Sequence, residues 1–257
     1  MVKSLLRAVL LAQFVLFCVT VCPGIGAERV LVAAADPWPP YFNPRSQRLG
    51  MAAEIVREAL RTQGYRVSFK VMPWDAAQRA VYEGKADMLI DAWFTKERQK
   101  KYLVSSPYAV SRIVFFKRKD SSFQYRGRES LTGLKVGLVK GYSYDEEFLS
   151  WDNYRRDYDV SFVPLALKVA SRKLDLALND RLVGMLEISE REPWLLEVLD
   201  TAETPLREAT LHVMVSRNVK DGEKILKAFE KGLLEMKRSG QYRRILAAYG
   251  AEDGAVK

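Results

Sequence analysis

Cysteine and histidine are nearly absent from this sequence. Its 257 residues include two cysteines, Cys18 and Cys22, and one histidine, His212. Both cysteines fall in an apolar N-terminal stretch, so the rest of the chain carries no thiol. Disulfides are excluded there, as are zinc and iron–sulfur sites built on thiolates. One histidine without a thiol leaves little material for the usual nucleophile–base pairs. A Walker loop and a G-x-G-x-x-G turn are missing too. No metal or cofactor is therefore expected. His212 lies in a predicted strand and reads as a core or hinge residue before a catalytic one. Carboxylates such as Asp36, Asp91 and Asp180 remain available as acids or bases. The basic residues are scattered, apart from Lys96 to Lys101, and do not alternate with aromatics, so nucleic acid is not an expected partner.

What is present points to an exported globular protein. Lys3 and Arg7 precede an apolar run from about Ala8 to Val21, then Pro23, Gly24 and small residues ending at Ala27. This is the layout of a secretory signal peptide, with cleavage expected after Ala27. The run is short for a membrane span and has no stop-transfer flank. Phe17 and Val21 precede the two cysteines, where lipidation needs a small residue. The formal charge is +9, and losing Lys3 and Arg7 leaves +7. A solvated basic face accounts for that balance; a docking surface for an acidic partner or an anionic ligand is the second reading. With 48% hydrophobic and 28% charged residues, the mature chain can bury a core as one large domain or two small lobes.

Strand and helix signals alternate along the mature chain. Strands are predicted at 29–35, 65–71 and 86–90, with helices at 51–64 and 74–85 between them. This βαβαβ order implies a mostly parallel sheet with helices on its faces. A strand at 111–119 and a polar connector lead into a second alternating series. It has strands at 134–141, 158–163 and 174–178, helices at 144–151, 165–172 and 181–190, and a strand near 195–199. One more strand, 209–218, precedes a helical C-terminus broken at Ser239–Gly240. The stretches "GKADMLIDAW" and "SRKLDLALNDRL" echo one another, and each ends a predicted parallel strand. Ligands of open α/β sheets bind at such ends, so two of them facing each other would form a cleft.

Several residues near those ends carry chemistry. Thr95 sits where a helix would start and can cap it, which puts Arg98 in the first turn. An arginine is unfavourable at the positive end of a helix unless an anion arrives. A guanidinium fork beside free backbone N–H groups suits a carboxylate. The alternative is a surface arginine paired with Glu97 or Glu83. Asp180 follows the strand "LDLALN" and reads either as an ordinary N-cap or as an anion receiving an ammonium group. Ser143 with Glu146 fits a capping box, and Gly141 would let backbone approach a ligand. Trp38 and Tyr41 lie in the proline-stiffened loop "DPWPPYF"; Trp74, Trp93, Phe94 and Tyr142 also follow strand or turn positions. Their faces can sandwich a flat or cationic group, or cover the core beneath the loops.

The ordered set "DPWPPY", "LG", "EGKADMLI", "FTKERQKKYLVSSPY", "LKVGLVKGYS" and "LDLALND" resembles the extracytoplasmic solute-binding proteins of family 3, across about 29–249. The resemblance implies an α/β, two-lobe periplasmic binding protein-like fold of type II with two hinge crossings. The lobes it implies run 28–110 with a return at 211–250, and 111–210, between a signal peptide at 1–27 and a tail at 251–257. The implied function is capture of a small zwitterionic ligand, an amino acid, in the periplasm and delivery to an ABC permease in the inner membrane, by a monomer. Arg98 would clamp the carboxylate with help from Ser143, Asp180 would take the ammonium, and Trp38 and Trp74 would pack on the side chain. Asp91 and Trp93 depart from the serine-rich strand end common in the family, and Trp93 would narrow the pocket or add a stacking face. An acid pair common after the glycine matching Gly50 is replaced by Ala52 and Ala53. Two alternatives stand beside this: an enzyme on the same fold, resembling cyclohexadienyl dehydratase, and a ligand sensor without a permease.

Overall fold

The computed structural model describes residues 29–142 and 144–251. The expected signal peptide, Ser143 and most of the C-terminal tail lie outside the described residues.

Period-two alternation makes β2 (Tyr65–Val71), whereas β1 (Arg29–Ala35) is an apolar run whose last three residues are all buried; the two pair in parallel. Between them, α1 (Met51–Arg61) buries Met51, Ala52, Ile55, Val56, Ala59 and Leu60 along one stripe. The helix α2 (Trp74–Tyr82) then leads into β3 (Met88–Trp93), parallel to β1. The last strand runs beyond the expected 86–90 and takes in Asp91, Ala92 and Trp93. A short helix α3 (Lys96–Lys101) follows, with Thr95 Oγ1 accepting the Arg98 N–H at 3.1 Å. The short β4 (Tyr102–Val104) leads to the long β5 (Ala109–Arg118).

The second series repeats the scheme. It comprises β6 (Lys135–Val139), α4 (Glu146–Ser150), β7 (Arg155–Asp159), α5 (Phe162–Ala170), β8 (Leu176–Asp180) and α6 (Arg181–Arg191). Two expectations are corrected here. The strand expected at 158–163 lies upstream, because Ser161 is extended and Phe162 opens a helix. Pro164 fits that helix's first turn, where no N–H partner is needed, and the polar edge strand β7 shows no apolar alternation. The strand expected near 195–199 is the one-turn α7 (Leu195–Val198), followed by β9 (Leu199–Thr201). The chain ends with β10 (Arg207–Ser216), α8 (Gly222–Arg238) and α9 (Gln241–Ala248).

All strands join one sheet ordered β2-β1-β3-β10-β5-β8-β6-β7, with β4 on β10 and β9 on β5. Its two flanks, β2-β1-β3 and β8-β6-β7, are parallel. The two central strands are antiparallel and pair Arg207 with Ile113 through Leu211 with Ala109. Among the described residues, these two long strands carry the chain from one flank to the other within the sheet. Each flank has apolar clusters on both faces, the first under α1, α8 and α9 and under α2, the second under α5 to α7 and beside α4. Among the described residues, no helix is long and apolar enough to cross a membrane.

Candidate ligand-binding site

The loop after β1 is docked on the start of α1. The Met51 and Ala52 N–H groups donate to the Pro40 and Tyr41 carbonyls at 2.8 and 2.9 Å. Gly50 makes this approach feasible: its φ is 96°, and a Cβ there would lie 2.6 Å from the Tyr41 carbonyl oxygen. Trp38 is thereby held over Tyr41, with rings stacked at 4.2 Å, and meets the edge of Trp93 at 5.8 Å. Trp93 in turn meets Tyr142, from the second flank, at 6.4 Å.

Trp38, Trp93 and Tyr142 wall a cavity of about 210 Å³. Asp36, Trp38, Trp74, Asp91, Trp93 and Arg98 come from the first flank, Gly141 and Tyr142 from the second. Five of the seven sequence-predicted site residues are thus brought together: Trp38, Trp74, Asp91, Trp93 and Arg98. Ser143, next to Tyr142, lies outside the described residues.

Arg98 is half-buried. Its Nη1 donates to the Trp93 carbonyl at 2.8 Å, and its guanidinium lies 4.9 Å from the Trp74 ring centre. The acids offered as surface partners are engaged elsewhere, Glu97 with Lys101 at 3.1 Å and Glu83 with Lys85 at 2.6 Å. Among the described residues Arg98 has no ion-pair partner. Burial lowers its pKa, against the nearby Tyr102 and Glu97.

Asp180 stands apart from the other expected site residues. It does not line the cavity. It is fully buried, and its carboxylate accepts from Tyr41 Oη at 2.9 Å, Ser111 Oγ at 2.6 Å and the Val183 N–H at 3.0 Å. The N-cap role is realised, and the oxygens expected to receive an ammonium are occupied by the protein. Burial raises its pKa, and those hydrogen bonds pull the other way. The Tyr41 contact joins the first flank to the second. Tyr41→Phe should therefore cost about 1–2 kcal/mol of stability, by removing one donor from a buried carboxylate. Urea unfolding measures this, and an unchanged midpoint and slope would deny the bond any role.

Asp91 is the site's least settled group. It is 7% exposed, and its Oδ1 has no hydrogen-bond partner among the described residues. Burial raises its pKa to about 7, its own backbone N–H opposing and the Asp36 carboxylate adding to the rise. Trp93 Nε1 is also buried without a partner among the described residues. Among the described residues Tyr142 Oη makes no hydrogen bond of normal geometry, although Trp38 lies close enough to temper the upward push that burial gives its pKa.

Sequence reasoning had noted Asp36 and Tyr142 without placing them in the site, and it missed Arg207. The Arg207 guanidinium covers Trp93 at 4.5 Å and pairs with Asp145 of the second flank. Nothing in "ETPLREAT" signals that role, which depends on the register of β10 against β5. His212 is turned to the Ser105 carbonyl at 2.7 Å and the Thr210 hydroxyl at 2.8 Å and does not line the cavity.

Residues 30–252 match the bacterial extracellular solute-binding proteins, family 3. The probable ABC transporter extracellular-binding protein YckB of Bacillus subtilis is 31% identical over 142 residues, 54% of this chain and 50% of the relative, so the match spans about half of that protein. A probable histidine-binding protein of Campylobacter jejuni is 24% identical over 225 residues, 86% of this chain and 84% of the relative. The crystal structure of the Bacillus subtilis YckB protein superposes with a TM-score of 0.72 at 22% identity, covering 93% of this chain and 96% of that one. The shared architecture is the two-lobed type II periplasmic binding fold. The chain belongs to the bacterial extracellular solute-binding proteins, family 3.

Proposed function

We propose that the protein is a periplasmic receptor that closes two lobes on a small zwitterionic ligand, an amino acid, and delivers it to an ABC importer of the inner membrane. The lobes are 28–110 with 211–250, and 111–210, and they move about the paired strands β5 and β10. One observation carries the reading: a half-buried guanidinium, Arg98, without an acidic partner, fixed on the wall of an aromatic cavity between the two flanks. A ligand carboxylate supplies the missing anion, and closure removes water and strengthens the contact. The name of the Campylobacter relative supports an amino-acid ligand. Asp91 is the observation that favours the enzyme alternative, because a carboxyl that titrates near 7 can serve as a general acid.

The test is a thermal-shift screen of the full chain, expressed with its own leader and stripped of carried-over ligand by unfolding and refolding. An amino acid at about a hundred times its dissociation constant adds roughly 2.7 kcal/mol, several degrees for a chain of this size. A shift with one class of amino acid is the expected result. Silence from all amino acids, with turnover of a prephenate-like acid, would transfer the protein to the enzyme reading.

A further inference from the structure

The strand β3 contains one residue too many. Met88 and Leu89 pair with Val215 and Met214, and Ala92 and Trp93 pair with His212 and Leu211. Ile90 and Asp91 thus stand opposite Val213 alone, which is a β-bulge. The core confirms the break in alternation: Met88 and Ile90 belong to one apolar cluster, Leu89 and Ala92 to another. Strict alternation would place Ala92 with Ile90. The extra residue resets the period and leaves Asp91 buried on the cavity wall. Tyr108 holds the bulge from behind by donating its hydroxyl to the Ile90 carbonyl.

On this geometry, and resting on the receptor reading above, we propose that Asp91 receives the ligand's cationic, N–H-bearing group, so the ammonium end of the ligand is read by the first lobe and not by Asp180. The Asp91 Oδ1 is buried and lacks a donor, whereas the Asp180 oxygens already accept from three. A buried acceptor left unmade is costly, and an ammonium N–H satisfies it. Asp36 adds a second acid to the same wall, and Trp38, Trp93 and Tyr142 offer ring faces and edges around it. Arg98 and Asp91 line one cavity without forming an ion pair, so a zwitterion can satisfy both at once. A quaternary ammonium lacks the N–H that Asp91 needs and is excluded.

The charged and titratable groups around Asp91 are Asp36 from the loop after β1, Arg98 from α3 and Tyr108 from the segment before β5. His212, on the neighbouring strand, is spent on Ser105 and Thr210, and burial lowers its pKa. Cation binding requires the Asp91 carboxylate. With Asp91 titrating at about 7 in the free protein, affinity should fall about 30-fold between pH 8 and pH 5.5.

The experiment is calorimetric titration of the full chain and of Asp91→Asn and Asp180→Asn. The probes are L-histidine, L-arginine and L-glutamine, their des-amino acids and Nα-trimethyl derivatives, and putrescine. At pH 8, Asp91→Asn should lose about 30-fold or more in affinity for whichever amino acid binds, and Asp180→Asn only a few-fold. The wild type should show the pH dependence and release protons on binding at pH 6, and Asp91→Asn should show neither. Equal affinity of wild type and Asp91→Asn overturns the assignment and leaves the receptor reading intact. Tight binding of trimethylated or des-amino probes does the same. Silence from every probe overturns both.

Discussion

Asp91→Asn is expected to stabilise the ligand-free protein at pH 8 by about 4 kcal/mol, since lifting a carboxyl from 3.8 to about 7 corresponds to that much. The folded state binds the Asp91 proton more tightly than the unfolded chain does. That advantage is complete below the unfolded value and is lost as pH rises through about 7, so the native chain weakens from this group between about pH 4 and pH 7.5. An asparagine has no proton to lose and keeps the stability throughout. At roughly 2–4 °C per kcal/mol for a chain of this length, the midpoint should rise about 10 °C at pH 8 and much less at pH 4.5. Scanning calorimetry of stripped wild type and variant at the two pH values measures it. A variant that melts with the wild type at pH 8 would show that Asp91 is not desolvated. Greater stability with lost ligand binding is the signature of a group kept for function.

Arg98→Ala should weaken amino-acid binding by about 30- to 1000-fold, on the order of 2–4 kcal/mol, because on the proposed function it removes the charged partner of the ligand carboxylate from a closed site. The guanidinium is aimed by one hydrogen bond to the Trp93 carbonyl and by the Trp74 face, at 2.8 and 4.9 Å. A lysine offers neither the planar fork nor the stack, so Arg98→Lys should recover little. The free protein's stability should change by only about 1 kcal/mol, since Arg98 has no ion pair to lose. Titration calorimetry with a melting curve on the same sample separates the two effects. An unchanged dissociation constant would remove Arg98 from the site.

The architecture was readable where a segment has a single clear period. The βαβαβ order of the first flank, the long C-terminal helices and the Thr95 cap follow from apolar spacing, from glycines such as Gly64 and Gly84, and from a hydroxyl at the helix start. It was unreadable where competing signals overlap. "YDVSFV" alternates like a strand, yet a helix opens at Phe162, and the true strand is a polar edge with no stripe to reveal it. The site divides in the same way. Arg98, Trp38 and Trp93 stand out by type and position. The bulge does not, because Met88, Leu89 and Ile90 are all apolar and either phase of alternation satisfies them; only pairing with β10 fixes where the period slips. Asp180 was legible as a cap or as an ammonium receptor; the cap is present, while its contacts with Tyr41 and Ser111 were unreadable because no local pattern brings those residues to it.

The bulge also bears on how readily this pocket can be altered. A residue in regular pairing answers to a neighbour across the strand and to one face of the core. Asp91 stands beside Ile90 against a single partner residue and lines the cavity. One codon there can exchange an acid for an amide, a hydroxyl or a small apolar group while the ten-stranded sheet keeps its register. Position 91 is therefore the natural place to begin redesigning this receptor for a neutral or anionic cargo, with Arg98 and the tryptophan walls retained as a fixed frame.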